Sequence, residues 1–202
     1  MKQDDLLDRL SERLEDPSVY NSNGVNYTRA ELVNAVNNAQ RIMVNLMDNK
    51  FFPTLQANVT GVSEPYECST SNLSGFTGRA SDIYTIKVNG GKYCAIIDKE
   101  NVKILDNAYT IGTTDAPIAY IDRNHIFVSP ASVSTIDVSY HKLPTDITDN
   151  QSNDYEFGGL EDIVLDLAEA ELWKTDNKPQ RSQLVYQTAI DHINVLNQKI
   201  AD

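Results

Sequence analysis

Chemistry at neutral pH needs side chains that trade protons, hold metals or attack carbon, and this sequence spaces few of them usefully. Its three histidines are His125, His141 and His192. A zinc site brings two or more such ligands together, often at i, i+4 on a helix or beside cysteines, and none of the three has such a partner. Cys68 and Cys94 are the only cysteines and stand 26 positions apart. They make no CxxC pair and are expected to be free thiols. Ser129 and Ser132 flank Pro130-Ala131 without a GxSxG nucleophile elbow. The glycines in residues 75–79 and 89–91 do not follow the GxxxxGK[ST] order that cradles phosphate. Glu161, Asp162, Asp166, Glu169 and Glu171 share a helix-like run. A di-iron site would need Glu-x-x-His, and no histidine lies at that offset, so a solvated acidic face is expected. The reading is therefore no catalytic residue, no metal ligand and no cofactor: not an enzyme, but a protein that acts through its surfaces.

Length and composition agree with that role. A chain of 202 residues is long enough for a sizeable core. No apolar run approaches the ~18 residues that span a bilayer, so no membrane partner is expected. The opening Met1-Lys2-Gln3-Asp4-Asp5 is unlike a secretory signal, and an intracellular product is expected. The net charge of −12 disfavours gripping nucleic acid, which needs Lys and Arg against phosphate. It is compatible with a surface that DNA passes without sticking.

The positioning elements follow from apolar periodicity. Leu6, Leu7, Leu10 and Leu14 form one helical stripe. Thr28-Arg-Ala-Glu31 is a capping box, in which the Thr hydroxyl and Glu carboxylate satisfy orphan amides at a helix start. Tyr27 and Leu32 occupy the staple positions, and Val36, Ala39, Met43 and Leu46 continue a helix to about residue 49. The middle of the chain changes to short strands. Residues 83–88 and 93–97 flank Asn89-Gly90-Gly91, a hairpin signal. Residues 102–105 read as a strand, 117–121 and 125–128 as a second hairpin, and 133–140 as the last strand. Residues 61–81, rich in Ser, Gly and Thr, read as a long loop. Acidic residues 145–162 read as a solvated linker. Two further helices follow, the first ending near Trp173, which is expected to anchor a core. Pro179 suits the first turn of the second. The expected fold class is α+β: a helical bundle formed by both termini, with an inserted small antiparallel β-sandwich or barrel. The expected parts are helical residues 1–52, an inserted β domain at 53–145, and a linker plus C-terminal helical hairpin at 146–202.

Three stretches carry a resemblance. YTRAELVNAVNNAQRIMVNLM, IFVSPASVSTIDVSYHKLPTD and the closing DIVLDLAEAELWKTDNKPQRSQLVYQTAIDHINVLNQK resemble tailed-phage head-to-tail adaptor (connector) proteins of podophage and crAss-like type. Residues 58–114 match nothing in that pattern. The resemblance implies a virion structural protein, assembled in the host cytoplasm, that forms a homo-oligomeric ring, twelvefold, under the portal protein. The ring would meet a downstream tail or nozzle protein, and double-stranded DNA would pass through it without specific binding. By analogy, Asn194, Asn197, Lys199 and Ile200 are expected at the portal, and Tyr140, Lys142 and Pro144 at intersubunit or tail contacts. The alternative classes are another virion or β-rich binding module, such as a glycan binder, and an enzyme whose site carries no sequence motif.

Overall fold

The structure, a computed structural model, describes residues 1–15, 26–64, 66, 68, 72–76, 80–89, 91–98, 100–101, 111–122, 125–149 and 153–201. The chain divides into two compact units, one made of Met1–Pro53 and Pro144–Asp202, the other of Thr54–Leu143. The fold is α+β, with four α-helices from the two ends of the chain and two sheets from its middle.

The first unit is helical. Helix α1 covers Gln3–Arg13, α2 Arg29–Leu46, α3 Glu161–Thr175 and α4 Pro179–Ala201. The capping box forms: the Thr28 hydroxyl accepts from the Glu31 amide, and the Glu31 carboxylate accepts from the Thr28 amide at 2.7 Å. Tyr27 and Leu32 are both buried beside it. α2 stops at Leu46, short of the expected end. There the Asn197 side chain donates to the Leu46 carbonyl at 2.9 Å and accepts the Asp48 amide at 3.0 Å. Helix α3 is the central element. Ile163, Val164, Leu165, Leu167, Ala168, Ala170, Leu172 and Trp173 are all buried, so apolar residues point in nearly every direction around its axis. A helix packed on several sides reads that way. Trp173 is the expected anchor, 4% exposed, with its indole N–H on Glu169.

Two acidic stretches differ from expectation. The carboxylates of α3 are not simply solvated. Asp162 receives Arg9 at 3.0 Å and Arg13 at 2.9 Å, and Asp166 receives Arg13 at 2.6 Å. The spacing of Arg9 and Arg13 on α1 matches that of Asp162 and Asp166 on α3, so two i, i+4 pairs meet across the helices. The segment after Pro144 is not a loose linker either. Asn37, buried on α2, donates to the Ile147 carbonyl and accepts its amide at 2.7 Å, treating one residue of the segment as a strand partner. Gln40 donates to the Thr145 carbonyl, and the Thr148 amide donates to Gln3. Arg41 takes Asp146, Arg29 takes Asp149 and Lys2 takes Asp154. The carboxylates that suggested solvation are the groups that tie the segment down. Replacing Asn37 by Ala leaves the Ile147 peptide without its partner in a buried place and lowers stability by about 2 kcal/mol. Hydrogen exchange reads this directly: protection of the Ile147 amide is lost, whereas protection retained in the variant would show that the side-chain bond is idle.

The second unit holds the strands. β1 is Gln56–Ser63, β2 Ile83–Val88, β3 Lys92–Tyr93, β4 Ala95–Ile96, β5 Ile118–Asp122, β6 His125–Ser129 and β7 Thr135–His141. Four strands form one sheet in the order β1-β7-β2-β3, and three form another in the order β4-β5-β6. Among the described residues the strands form no closed barrel. The second sheet is mixed, because β4 pairs parallel to β5 while β5 and β6 form the expected antiparallel hairpin. The tip of that hairpin, residues 123–124, lies outside the described residues, as does the expected strand at 102–105. The first hairpin is shorter than its pattern. Lys92 and Tyr93 pair with Val88 and Lys87, and the chain then leaves for the other sheet at Cys94. One apolar run thus serves two sheets. β1 continues through Gly61 to Ser63, where a loop was expected to begin. Gly61 sits at φ +71° at a break in the β1–β7 register, and its amide donates to Asp137 at 2.9 Å. The only acidic residue of β7 therefore secures a bulge. Ile86, Ile136, Val138 and Tyr140 from the first sheet share one buried cluster with Ala119 and Ile126 from the second.

Candidate interaction surfaces

Three of the groups with chemical potential, Cys68, Cys94 and His141, are largely or partly buried in the β unit. Burial pushes the Cys68 and Cys94 thiols up to about 11, which leaves neither a useful thiolate at neutral pH. His141 is 2% exposed, and its Nδ1 shares a hydrogen bond of 3.0 Å with the Tyr84 hydroxyl. Among the described residues no group of three or more His, Cys, Asp or Glu could hold a metal ion. Among the same residues no helix is long and apolar enough to cross a membrane.

What the helical unit offers instead is a groove of about 780 Å³. Helices α2 and α4 meet at Asn197 and part toward the α3–α4 turn. The gap is walled by Asn38, Arg41, Ile42 and Asn45 of α2 and by Pro179, Ser182, Gln183 and Tyr186 of α4. Leu167, Ala170, Glu171 and Lys174 of α3 form its floor. Each helix contributes residues at i, i+3, i+4 and i+7, so each presents one face for about 10 Å. The same periodicity shows α4 to be packed on one side only. Ala189 and Ile193 are buried, while Leu184 is 70% and Val195 49% exposed.

The β unit offers an edge. The Lys142 amide donates to the Leu55 carbonyl at 2.9 Å. Counting in twos from that bond, Leu55, Ala57 and Val59 turn their peptides to β7, and Gln56 and Asn58 turn theirs outward. β1 is the end strand of its sheet. Its eight residues include no charge and no proline, the usual guards of such an edge. The bulge at Gly61 is a protective feature of that edge.

The residues singled out by resemblance fall in different settings. Asn194 and Lys199 are exposed on the last turns of α4, and Ile200 is half-buried. Asn197 is engaged with the end of α2, as described above. Lys142 is half-buried and forms an isolated bridge with Phe76. Pro144 is buried. Tyr140 is 1% exposed, packs edge-on against Phe76 and donates its hydroxyl to the Ser74 carbonyl. Its side chain points into its own sheet cluster and offers no surface to a neighbour. The groove and the exposed α4 stripe were not singled out from sequence. Leu184 and Val195, 11 residues apart, were the available signal, since that spacing returns them to one face.

The profile of the SU10 adaptor protein family matches residues 1–202. The chain belongs to the SU10 adaptor protein family. No curated protein matches it. The adaptor is thus a phage protein, a virion component of the head-to-tail junction. The match runs through residues 58–114, the stretch in which resemblance by motif had given nothing. Among the described residues, the helical groove, the outer stripe of α4 and the edge of β1 are surfaces that this adaptor exposes.

Proposed function

We propose that this adaptor forms a ring of identical copies, twelve in number, beneath the phage portal protein, and that it joins the head to a downstream tail or nozzle protein. The observation that carries this reading is the adaptor-family match over the whole chain. Assembly takes place in the host cytoplasm, and double-stranded DNA passes through the ring without being specifically bound. The net charge of −12 supports that last point, because carboxylates facing phosphates repel and leave no ion pairs to hold the duplex. In this reading the helical parts, 1–52 and 146–202, are the body, and the insert at 53–145 reaches partners. Asn194, Lys199 and Ile200 meet the portal. The uncharged edge of β1, with Lys142 close to where β7 ends, meets a neighbouring subunit or the tail component.

The test is assembly. Single-particle imaging of the purified chain, alone and mixed with the cognate portal protein, is expected to show rings in at least one of the two samples. A chain that stays monomeric in both ends the reading. Duplex DNA added at physiological salt is expected to give no shift in either sample. Tight retention of DNA would contradict the repulsive channel.

A further inference from the structure

The open edge of β1 runs from Gln56 to Val59, the part of the strand before its register with β7 breaks. The peptides of Gln56 and Asn58 face away from β7, and both residues are exposed. The Asn58 side chain accepts the Ser139 hydroxyl, so it lies along its own sheet and does not fold over the edge. On the other face Ala57 and Val59 pack against the sheet cluster but stay half-buried. One more strand would continue the ladder and cover these two side chains. No charge of β1 would have to be desolvated for it, because the strand carries none.

Symmetry and the other edges decide where such a strand comes from. In a cyclic ring, neighbours meet through two different patches, and never through the same patch on both. Pairing of β1 with β1 is a two-fold contact and does not join neighbours in such a ring. Pairing of β1 with a different edge of the next copy needs a second open edge of similar length. The other end strands are β3, β4 and β6. β3 and β4 have two residues each. β6 is longer, but its Ile126 amide already donates to the Tyr66 carbonyl at 2.9 Å. The extended segment after Pro144 is engaged with α2, where Asn37 binds both polar groups of the Ile147 backbone. Among the described residues the chain therefore has no matching strand to offer its neighbour, and the strand that fits β1 belongs to a different protein.

We propose that β1 is the acceptor edge for an extended segment of the downstream tail protein, added as one further strand beside Gln56–Val59. Recognition is by main chain, as in other cases of strand addition. The incoming segment alternates, with apolar residues beside Ala57 and Val59 and uncharged polar residues beside Gln56 and Asn58. The bulge at Gly61 ends the pairing and fixes its register. This rests on the ring reading above, which gives the end of α4 to the portal, and adds how the tail protein is held.

The test uses the full chain, alone and with portal, and the purified cognate tail protein as probe. Hydrogen exchange is followed at single amides. Those of Gln56 and Asn58 are expected to exchange fast in the ring and to slow by roughly tenfold or more when the tail protein binds. Those of Ala57 and Val59 are expected to be protected in both states. Protection gained elsewhere, with none at Gln56 and Asn58, overturns the proposal. Protection of these two amides before the tail protein is added also overturns it, since a copy or the portal would then fill the edge. Asn58→Pro removes an outward N–H and no bond to β7, so it should melt and form rings like wild type. It should bind the tail protein roughly tenfold or more weakly. Asn58→Ala loses the same side chain but keeps the amide, and should bind like wild type. Equal weakening in both variants would mean recognition by side chain, and undiminished binding by the proline variant would mean that no strand is added. Either result overturns the proposal. If Asn58→Pro does not fold, the exchange measurement on the wild-type chain decides alone. Rings that form but bind no tail protein sink the proposal and leave the ring reading intact. A wild-type chain that forms no ring, with or without portal, removes both.

Discussion

Replacing Arg29 by Met is expected to lower the stability of the chain by about 3 kcal/mol, the cost of removing one partner from a buried ion pair. The Arg29 side chain is 8% exposed. Its Nη1 donates to Asp8 of α1 at 2.5 Å and its Nε to Asp149 at 3.1 Å, and it reaches the Asp4 carbonyl. One guanidinium thus joins α1, the start of α2 and the segment after Pro144. Burial alone would lower its pKa, but the hydrogen bonds and charges of Asp8 and Asp149 outweigh it and hold the pKa above the ordinary value. Methionine fills the volume but leaves two carboxylates facing each other across an apolar gap. A thermal melt should fall by roughly 6–12 °C for a chain of this size. Arg29→Lys should recover only part of the loss, because a single ammonium cannot reproduce the planar fork. If Arg29→Met melts at the wild-type temperature, Asp8 and Asp149 are stabilised by water and the junction is not held as described.

Gly112→Ala is the second large effect, also about 3 kcal/mol, at the upper end of what overpacking costs. A Cβ at Gly112 would lie 2.2 Å from the Ser129 carbonyl oxygen, 2.8 Å from its carbon and 2.9 Å from the Ile118 nitrogen. All three atoms are backbone, so no side-chain rotation relieves the contact. Ile118 and Ser129 are themselves opposite each other in the β5–β6 ladder. The added methyl therefore pushes against the rung where the hairpin begins. The expected readout is a lower melting temperature with loss of amide protection in β5 and β6. Gly91→Ala is the control, since nothing lies within 4 Å of its Cβ position, and it should change stability by less than about 0.5 kcal/mol. Equal behaviour of the two variants would mean that the close approach at Gly112 is not kept in solution.

These two residues mark where reading the sequence stops. Arg29 follows a capping threonine in a first helical turn, where no local pattern marks it for burial. Its partners lie 21 and 120 positions away, and no local rule joins them. Gly112 stands in a run, Ile111-Gly-Thr-Thr114, with no turn pattern that requires glycine. Its constraint comes from Ser129, 17 positions later, whose carbonyl fills the space a Cβ would take. The acidic stretches were misread for a related reason. Asp146, Asp149 and Asp154 look solvated as a composition, and only folding brings Arg41, Arg29 and Lys2 to them. The motif resemblance implies a contact role for Tyr140, whereas the alternation of β7 puts it with Ile136 and Val138 in the core.

The residue order was sufficient for what depends on neighbours a few positions apart. The four helices, the Thr28–Glu31 cap, the burial of Trp173, the β5–β6 hairpin and the α+β class all follow from period, capping chemistry and turn residues, which act within one or two turns of chain. Strand order, the parallel β4–β5 pair, the charge junction at Arg29 and the groove beside α4 depend on which distant segments come to lie together. That choice is made by burial of shared apolar surface, a non-directional force that local spacing does not encode.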